Sequence, residues 1–198
     1  MVAIIDYGMG NVSSVQKALK KIGLMSNITA DREEITKCTH VILPGVGSFN
    51  QAMKNLNERG LVDVLNEVVL EDKKPFLGIC LGMQLLADFG LEDGEMPGLG
   101  FIKGTVKPIA NHELPIPHMG WNEIYVKKND FFANIQDNNF YFVHSYCFEV
   151  EDDSDIAATV QYGHSITAAV QKNNIFATQF HPEKSQSEGL EILKSFLQ

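Results

Sequence analysis

The chain has 198 residues and a mass of 22.0 kDa, and its 16 basic against 25 acidic side chains give a formal net charge of −9. A protein that binds the nucleic-acid backbone needs the opposite balance, so the charge argues against a nucleic-acid partner. Because 44 % of the residues are apolar and 21 % are charged, the composition predicts a soluble globular protein with one large core. We expect residues 1–198 to form a single domain.

The sequence carries no signal for a membrane or for export. The first residues contain no basic side chain before Asp6, unlike a signal or transit peptide. The uncharged run over residues 75–87 contains two glycines and is shorter than a membrane span. The sequence therefore predicts a cytoplasmic protein without a membrane partner.

The three cysteines stand at positions 38, 80 and 147, with no C-x-x-C pair. This odd number argues against a disulfide framework and against a zinc site. The histidines also lack the spacing of metal ligands, so no metal is expected. Each cysteine is therefore interpreted either as an inert buried thiol or as a nucleophile.

The first hundred residues alternate short apolar strands with amphipathic helices. Strands are predicted over residues 2–5, 25–29, 40–43 and 75–79, and helices over residues 12–22 and 61–68. Asn11 is the expected N-cap of the first helix, and Pro44 with Gly45 is interpreted as the turn that closes the third strand. Such alternation is typical of βαβ units and predicts a mostly parallel sheet with flanking helices.

The second half of the chain has a different pattern, because Pro and Gly separate strand-like segments. These segments cover residues 100–109, 117–126, 139–150, 156–162 and 175–180. Apolar side chains at positions 190, 193 and 197 indicate a closing helix. The fold class is therefore predicted to be α/β with a β-rich second half.

The segment G-I-C-L-G-M-Q, residues 78–84, is the most informative part of the sequence. A predicted buried strand runs into Cys80, a helix follows, and glycines lie two residues to either side. This pattern matches the sharp strand-to-helix elbow that presents a nucleophile, and a helix N-terminus also favours a thiolate. Cys80 is therefore predicted to be a nucleophile, whereas Cys38 and Cys147 are interpreted as ordinary buried thiols.

A base for this thiol is available in the triplet His181-Pro182-Glu183, which follows the last predicted strand. Parallel neighbours end at the same edge of a sheet, so the triplet could lie beside Cys80. His181 would then act as the base, and Glu183 would orient its ring. Without such a neighbour, a solvated loop histidine is the alternative.

The segment P-G-V-G, residues 44–47, follows the third predicted strand at the same expected edge. The amides of Val46 and Gly47, with the amide of Leu81, could bind a developing oxyanion. A plain turn is the alternative reading of these glycines. A phosphate loop is excluded because no Lys-Ser/Thr pair follows.

Together, the cysteine elbow, the glycine-rich loop and the His-Pro-Glu triplet resemble the signature of the class I glutamine amidotransferases. Residues 6–11 (D-Y-G-M-G-N), 117–122 (P-H-M-G-W-N), 141–146 (Y-F-V-H-S-Y) and 184–185 (K-S) extend the resemblance over the whole chain. These segments are similar to those of the glutaminase subunits of imidazole glycerol phosphate synthases.

The resemblance implies a flavodoxin-like core, no cofactor, and hydrolysis of L-glutamine by a triad of Cys80, His181 and Glu183. It further implies a heterodimer with a (β/α)8 cyclase subunit, which uses the ammonia to make imidazole glycerol phosphate and AICAR in histidine biosynthesis. The residues implied to contact glutamine are Gln84, Glu92, Ser145 and Tyr146. Those implied to contact the partner are Asn11, Trp121, Asn122, Tyr141 and Lys184.

Three alternatives stay open at the level of the sequence. Cys147 and Glu123 depart from the residues usual in the family, which leaves room for a paralogue that supplies ammonia for surface-sugar biosynthesis. A thiol hydrolase or stress protein could use the same elbow without the triad. A binding module that kept only the fold is disfavoured by the presence of all three triad residues.

Overall fold

The structure is a computed structural model that describes residues 1–110 and 114–197. Its strands are β1 (Val2–Ile5), β2 (Ser26–Thr29), β3 (His40–Gly45), β4 (Phe76–Cys80), β5 (Phe89–Gly90), β6 (Met96–Pro97), β7 (Gly104–Pro108), β8 (His118–Val126), β9 (Asn139–His144), β10 (Tyr146–Val150), β11 (Ile156–Tyr162), β12 (His164–Lys172) and β13 (Ile175–Thr178). Its α-helices are α1 (Val12–Lys21), α2 (Arg32–Lys37), α3 (Phe49–Glu58), α4 (Leu61–Leu65), α5 (Leu81–Gln84) and α6 (Gln186–Phe196). A π-helical segment, Asn66–Glu71, continues α4, and 3-10 turns cover Asp153–Asp155 and Pro182–Lys184.

Nine strands form one mixed sheet in the order β2-β1-β3-β4-β13-β12-β11-β8-β9. The pairings from β2 to β13 are parallel, and those from β13 to β9 are antiparallel. A smaller sheet has the order β10-β7-β5-β6. The predicted α/β fold with a β-rich second half is confirmed, and the antiparallel strands of that half extend the parallel sheet.

Helices cover both faces of the parallel strands because successive side chains of a buried strand point to opposite faces. Ile4 of β1 packs in the cluster that includes the apolar side chains of α1 and α6. Ile5 packs in the other cluster, with α2, α3 and α4. The core therefore occupies both faces of the sheet and leaves only its edges and strand ends for a site.

Pro44 and Gly45 are the last two residues of β3 and not the turn that the sequence suggested. Pairing of β3 with β1 ends at Ile42, whereas pairing with β4 continues to Gly45. Proline lacks an N–H, so it is tolerated where one side of a strand has no ladder partner. The glycine-rich turn therefore starts two residues later than predicted, at Val46.

Several helices and strands were not predicted, or were predicted differently, from the sequence patterns. Helices α2 and α3 and strand β12 were not predicted, and the single segment expected over residues 139–150 is two strands that break at Ser145. The helix expected over residues 61–68 is α4 followed by the π-helical segment. None of these differences changes the sheet edge at which the candidate residues lie.

That edge is formed by the carboxyl ends of three adjacent parallel strands. Gly45 of β3 pairs with Cys80 at the end of β4, and Thr178 of β13 pairs with Ile79. The segments that follow these strands, residues 46–48, 81–84 and 179–184, therefore meet at one place.

Candidate active site

Cys80 occupies a strained backbone position, with φ 54° and ψ −106°. A residue other than glycine in such a conformation costs about 1–3 kcal/mol, and strain of this kind concentrates at functional sites. A Cβ on Gly82 would lie 1.8 Å from the carbonyl oxygen of Leu43, and one on Gly78 would lie 2.7 Å from the carbonyl oxygen of Gly82. The predicted steric reason for both glycines is confirmed.

The helix after the elbow is shorter than expected, because α5 covers only Leu81–Gln84. A single turn has a small dipole, so the helix contributes less to stabilising a thiolate than the sequence suggested. The Cys80 side chain is 6 % exposed. Its Sγ lies 3.8 Å from the carbonyl oxygen of Val143 and 3.6 Å from Nε2 of Gln179.

His181 and Glu183 form a buried pair in which Nδ1 of the imidazole lies 2.8 Å from Oε1 of the carboxylate. Their backbone is fixed to β9: the His181 N–H donates to the Tyr141 carbonyl (2.9 Å). The Ser185 hydroxyl donates to the His181 carbonyl (2.7 Å) and accepts from the Tyr141 N–H (3.0 Å). The structure therefore holds the ring rigidly beside the end of β4.

Burial lowers the pKa of His181, but hydrogen bonding and the charges of Cys80 and Glu183 outweigh it and raise the pKa to about 9. Nδ1 of the His181 ring is bound to Glu183, so Nε2 is the ring atom that interacts with Cys80. Among the described residues, Nε2 has no other partner. His181 therefore keeps its proton at neutral pH, at the ring atom that faces the thiol.

A cavity of about 610 Å³ opens beside Cys80. Nine of the fifteen residues proposed from the sequence line it, whereas His181, Glu183, Asn11, Trp121, Asn122 and Tyr141 do not. Its walls include Val46, Gly47, Cys80, Leu81, Gln84, Glu92, Ser145, Tyr146 and Lys184.

The loop over residues 46–48 forms one wall of this cavity. Val46 is exposed, and Gly47 has φ +101°, a conformation that favours glycine. Within the part of the chain that the structure describes, the N–H groups of Val46 and Gly47 donate to no other protein group. Unpaired amides at the mouth of the cavity are available to an oxyanion.

Two of the predicted glutamine contacts are held in place by other residues. The Glu92 carboxylate accepts the N–H of Phe49 (2.7 Å), at the start of α3. The Gln84 amide donates to the carbonyl of Tyr146 (3.1 Å) and to Oε1 of Gln179 (3.0 Å). Because its NH₂ group is fully used, Gln84 can offer a ligand only its carbonyl oxygen.

A directed chain of hydrogen bonds runs behind the cavity through His118 and His144. The His144 Nδ1–H donates to the Tyr146 carbonyl (2.8 Å), so its Nε2 accepts from His118 Nδ1 (2.9 Å). His118 Nε2 then accepts from Asn122 (3.2 Å). The sequence left both histidines without a role; burial lowers the pKa of each to about 4, so both stay neutral.

This histidine pair predicts that acid weakens the fold. The folded-state pKa values of about 4 lie below the ordinary value of 6.5, so the unfolded chain binds more protons between these limits. The free energy of unfolding should therefore fall as the pH drops through this window. His118→Phe, which keeps a ring between Phe142 and Tyr162, should reduce that fall. Urea unfolding across the window tests this; an unchanged pH dependence in the variant would contradict it.

Three of the five residues predicted to meet a partner form a cluster beside the cavity. Trp121 on β8 is 49 % exposed and lies edge-on to Tyr141, with the ring centroids 6.2 Å apart. Lys184, which also lines the cavity, places Nζ 5.8 Å from the Tyr141 ring centroid. These three residues, which we call the aromatic cluster, connect the outer face of β8 to the site.

The two asparagines predicted to meet a partner have other surroundings. Asn122 donates inward, to His118 and to the carbonyl of Gln161 (3.0 Å). Asn11 is the N-cap residue of α1, as predicted, but its side chain makes no capping hydrogen bond. Asn122 is therefore anchored within the chain, whereas the Asn11 side chain is not committed to its own helix.

Sequence reasoning missed Gln179, which is fully buried and contacts Cys80. It stands two residues before His181, and the chain bends at residues 179 and 180 after the end of β13. The alternation of side chains along a strand does not apply across such a bend, so the sequence pattern gave no signal for Gln179. Tyr7 was also missed: its buried hydroxyl has no partner among the described residues and lies 2.2 Å from the place of a Cβ on Gly45.

Within residues 1–110 and 114–197, no group of three or more His, Cys, Asp or Glu side chains could hold a metal ion. His112 lies outside these ranges. Over the same part of the chain, no helix combines the length and the apolar character needed to cross a bilayer.

Known proteins share both the sequence and the fold. The family model "Glutamine amidotransferase class-I" matches residues 3–198. Imidazole glycerol phosphate synthase subunit HisH 1 of Campylobacter jejuni is 50 % identical, over 99 % of this chain and 98 % of that protein. Subunit HisH 2 of Methanococcus maripaludis is also 50 % identical (100 % and 98 %), and HisH of Geobacter sulfurreducens is 48 % identical (98 % and 97 %).

Solved structures agree with the fold at lower identity. A crystal structure of a glutamine amidotransferase has a TM-score of 0.76 at 21 % identity, covering 100 % of this chain and 97 % of that one. The structure of PurLQS from Thermotoga maritima has a TM-score of 0.77 at 18 % identity, covering 99 % and 96 %. From the family model and these full-length relatives, we conclude that the chain belongs to the class I glutamine amidotransferases.

Proposed function

We propose that this chain is the glutaminase subunit of an imidazole glycerol phosphate synthase and acts in histidine biosynthesis. It hydrolyses L-glutamine to glutamate and ammonia, and a synthase subunit consumes the ammonia. The observation that carries this proposal is the strained Cys80 elbow beside the buried His181–Glu183 pair. Relatives that carry the HisH name over their full length support the pathway.

In the proposed mechanism the Cys80 sulfur attacks the side-chain amide carbon of glutamine. His181, which holds its proton at neutral pH, passes it from Nε2 to the leaving nitrogen. Ammonia departs and a γ-glutamyl thioester remains. The neutral imidazole then takes a proton from water, the resulting hydroxide attacks, and the C–S bond breaks to release glutamate and restore the thiolate.

Glu183 and the loop amides serve this reaction in different ways. The Glu183 carboxylate accepts from His181 Nδ1 and thereby keeps Nε2 facing the sulfur. The unpaired amides of Val46 and Gly47, with that of Leu81, stabilise the oxyanion of each tetrahedral intermediate. Removal of one such donor typically costs about 10²- to 10³-fold in rate, so the position of this loop controls turnover.

Glutamine itself fits the cavity with its amide at Cys80. The Glu92 carboxylate on the opposite wall suits the α-ammonium group, and the Gln84 carbonyl oxygen offers a second acceptor. Ser145 and Tyr146, at the break between β9 and β10, supply backbone groups that extend along the substrate. No cofactor is needed for this chemistry.

The partner is proposed to be a (β/α)8 cyclase subunit bound as a heterodimer through the aromatic cluster, with Asn11 and Asn122 at its border. Exposed aromatic and cationic side chains around a site mouth are typical anchors of a protein interface. A docked subunit would also keep ammonia out of bulk water. The sheet that joins strands from both halves supports a single amidotransferase domain over residues 1–198, and we place it in the cytoplasm.

A paralogue that supplies ammonia for surface-sugar biosynthesis would share the same site. The assay that separates the two measures glutamate release by the chain alone, with a histidine-pathway cyclase subunit, and with that subunit and its nucleotide substrate. We expect turnover to rise sharply only when both are present. Full activation by an unrelated synthase, and none by the cyclase, would overturn the pathway assignment.

Trp121→Ala and Lys184→Ala should uncouple glutamine hydrolysis from product formation, because each opens the rim through which ammonia leaves. The expected result is more than one glutamate released per acceptor consumed in the complex, with the fold unchanged. Met25→Ala is the matched control: Met25 is equally an exposed apolar residue but precedes β2, at the opposite edge of the sheet. A ratio of one in both variants, with native affinity for the partner, would remove these residues from the interface.

A further inference from the structure

Gln179 is a fully buried polar residue that the mechanism above does not use. It follows β13, and its N–H donates to the carbonyl of Ala168 on β12 (2.8 Å), so its backbone belongs to the rigid sheet. Its side chain lies between Gln84 and Cys80. A buried amide is costly unless it is hydrogen-bonded, and an apolar side chain would fill the same space without that cost.

Neighbouring groups fix which end of the Gln179 amide faces the sulfur. The Tyr146 carbonyl can only accept, so the Gln84 side chain must present its NH₂ group there, at 3.1 Å. That same NH₂ group lies 3.0 Å from Gln179, which must therefore present Oε1 to it. Nε2 of Gln179 is then the atom 3.6 Å from Cys80 Sγ, a distance suited to an N–H···S hydrogen bond.

This donor differs from the Val143 carbonyl, which is another polar neighbour of the sulfur. The Val143 carbonyl, 3.8 Å from Sγ, can accept from a thiol but offers nothing to a thiolate. The Gln179 N–H can donate to either form, and it binds the anion more strongly because hydrogen bonds to charged groups exceed neutral ones. No water reaches the amide to compete, since Gln179 is completely buried.

We infer that Gln179 is a catalytic residue whose Nε2–H holds the Cys80 sulfur as an anion. This inference rests on the proposed glutaminase function of the same site. The bond acts twice in each turnover: it orients the thiolate before attack, and it stabilises the negative charge on sulfur when the thioester C–S bond breaks and its electron pair returns to that atom. His181 handles the proton in both steps, so Gln179 transfers none.

Two substitutions separate this role from support of Gln84. Gln179→Met removes both hydrogen bonds at similar volume, whereas Gln179→Glu keeps an acceptor for Gln84 and replaces only the donor that faces sulfur. Loss of a hydrogen bond to a charged group predicts that kcat falls by about 10- to 150-fold in both variants, while KM for glutamine changes little. The loss in Gln179→Glu should grow with rising pH, because a carboxylic acid can donate and a carboxylate cannot.

Alkylation of Cys80 by iodoacetamide provides a readout that needs no glutamine turnover. At neutral pH it should slow in both variants by a factor similar to that in kcat, because the thiolate is the reacting species. Gln16→Met is the matched control: it also loses one N–H···O bond, to Ser26 (3.3 Å), but at the far edge of the sheet, and should keep the native rate. Circular dichroism verifies that each variant is folded.

The outcomes distinguish the inference from the proposed function. Native kcat and alkylation rates in Gln179→Glu would overturn the inference and leave Gln179 as a support for Gln84. Slow alkylation of Cys80 in both variants supports it, even if the wild-type chain failed to hydrolyse glutamine in the presence of the cyclase subunit and its nucleotide substrate, a result that would instead overturn the proposed function.

Discussion

Replacement of Cys80 by alanine is expected to abolish glutamine hydrolysis while the fold stays intact. Loss of a nucleophile that acts with a base typically costs about 10⁶-fold in kcat, because the remaining groups have nothing to activate. The change removes only one buried sulfur atom. It introduces no new strain, because alanine and cysteine both carry a Cβ and adopt a positive φ at a similar cost. Glutamate release with and without a cyclase subunit measures the effect.

Cys147→Ala is the matched control for this prediction. Cys147 is as deeply buried as Cys80, but it belongs to β10 and does not line the cavity. It should keep the wild-type rate of glutamate release. A Cys80→Ala chain with native circular dichroism and a rate near that of wild type would exclude Cys80 as the nucleophile.

Glu183→Gln is expected to lower kcat by about 10²- to 10⁴-fold with little change in KM, because an amide no longer holds the reactive orientation and tautomer of His181. The carboxylate also helps to raise the His181 pKa to about 9. Proton donation by His181 is therefore lost as the pH rises through that value. In Glu183→Gln the same loss should begin at lower pH.

The pH profile of kcat for wild type and variant tests this second effect. Glu188→Gln is the control: Glu188 lies on α6, close in sequence, and accepts the N–H of Gln136 (2.7 Å) away from the cavity. It should leave the profile unchanged. A Glu183→Gln chain whose loss lies wholly in KM, with an unshifted alkaline limb, would contradict the orienting role.

The sequence predicts the parallel half of the fold well because its strands are buried on both faces. Continuous apolar runs such as residues 2–5 and 75–79 carry that signal by themselves. Helix α3 was missed although Ala52, Met53 and Leu56 are spaced for a helix, because it follows directly on the glycine-rich loop. The order in which β12, β11 and β8 join the sheet depends on antiparallel pairing far along the chain, which local patterns do not specify.

At the site, the sequence was sufficient to predict those residues whose identity is required by close steric contacts. Gly78 is required by a backbone contact within the elbow and Gly82 by one with Leu43 of β3, and the order of parallel strands brings His181 to the same edge. Residue spacing alone could not predict the hydrogen bonds between segments that are distant in the sequence. The contact of Gln84 with Gln179 and that of His118 with His144 join residues from different strands and loops, so only the folded chain shows them.

The most direct test of the account is to stop the chain with acid during steady turnover of glutamine and to locate the covalent intermediate by mass spectrometry of its peptides. We expect a γ-glutamyl thioester on the peptide that contains Cys80, and an unmodified Cys38 and Cys147. The adduct should accumulate further in a variant that slows its hydrolysis. Sustained glutamate release with an adduct on another residue, or with Cys80 removed, would contradict the account.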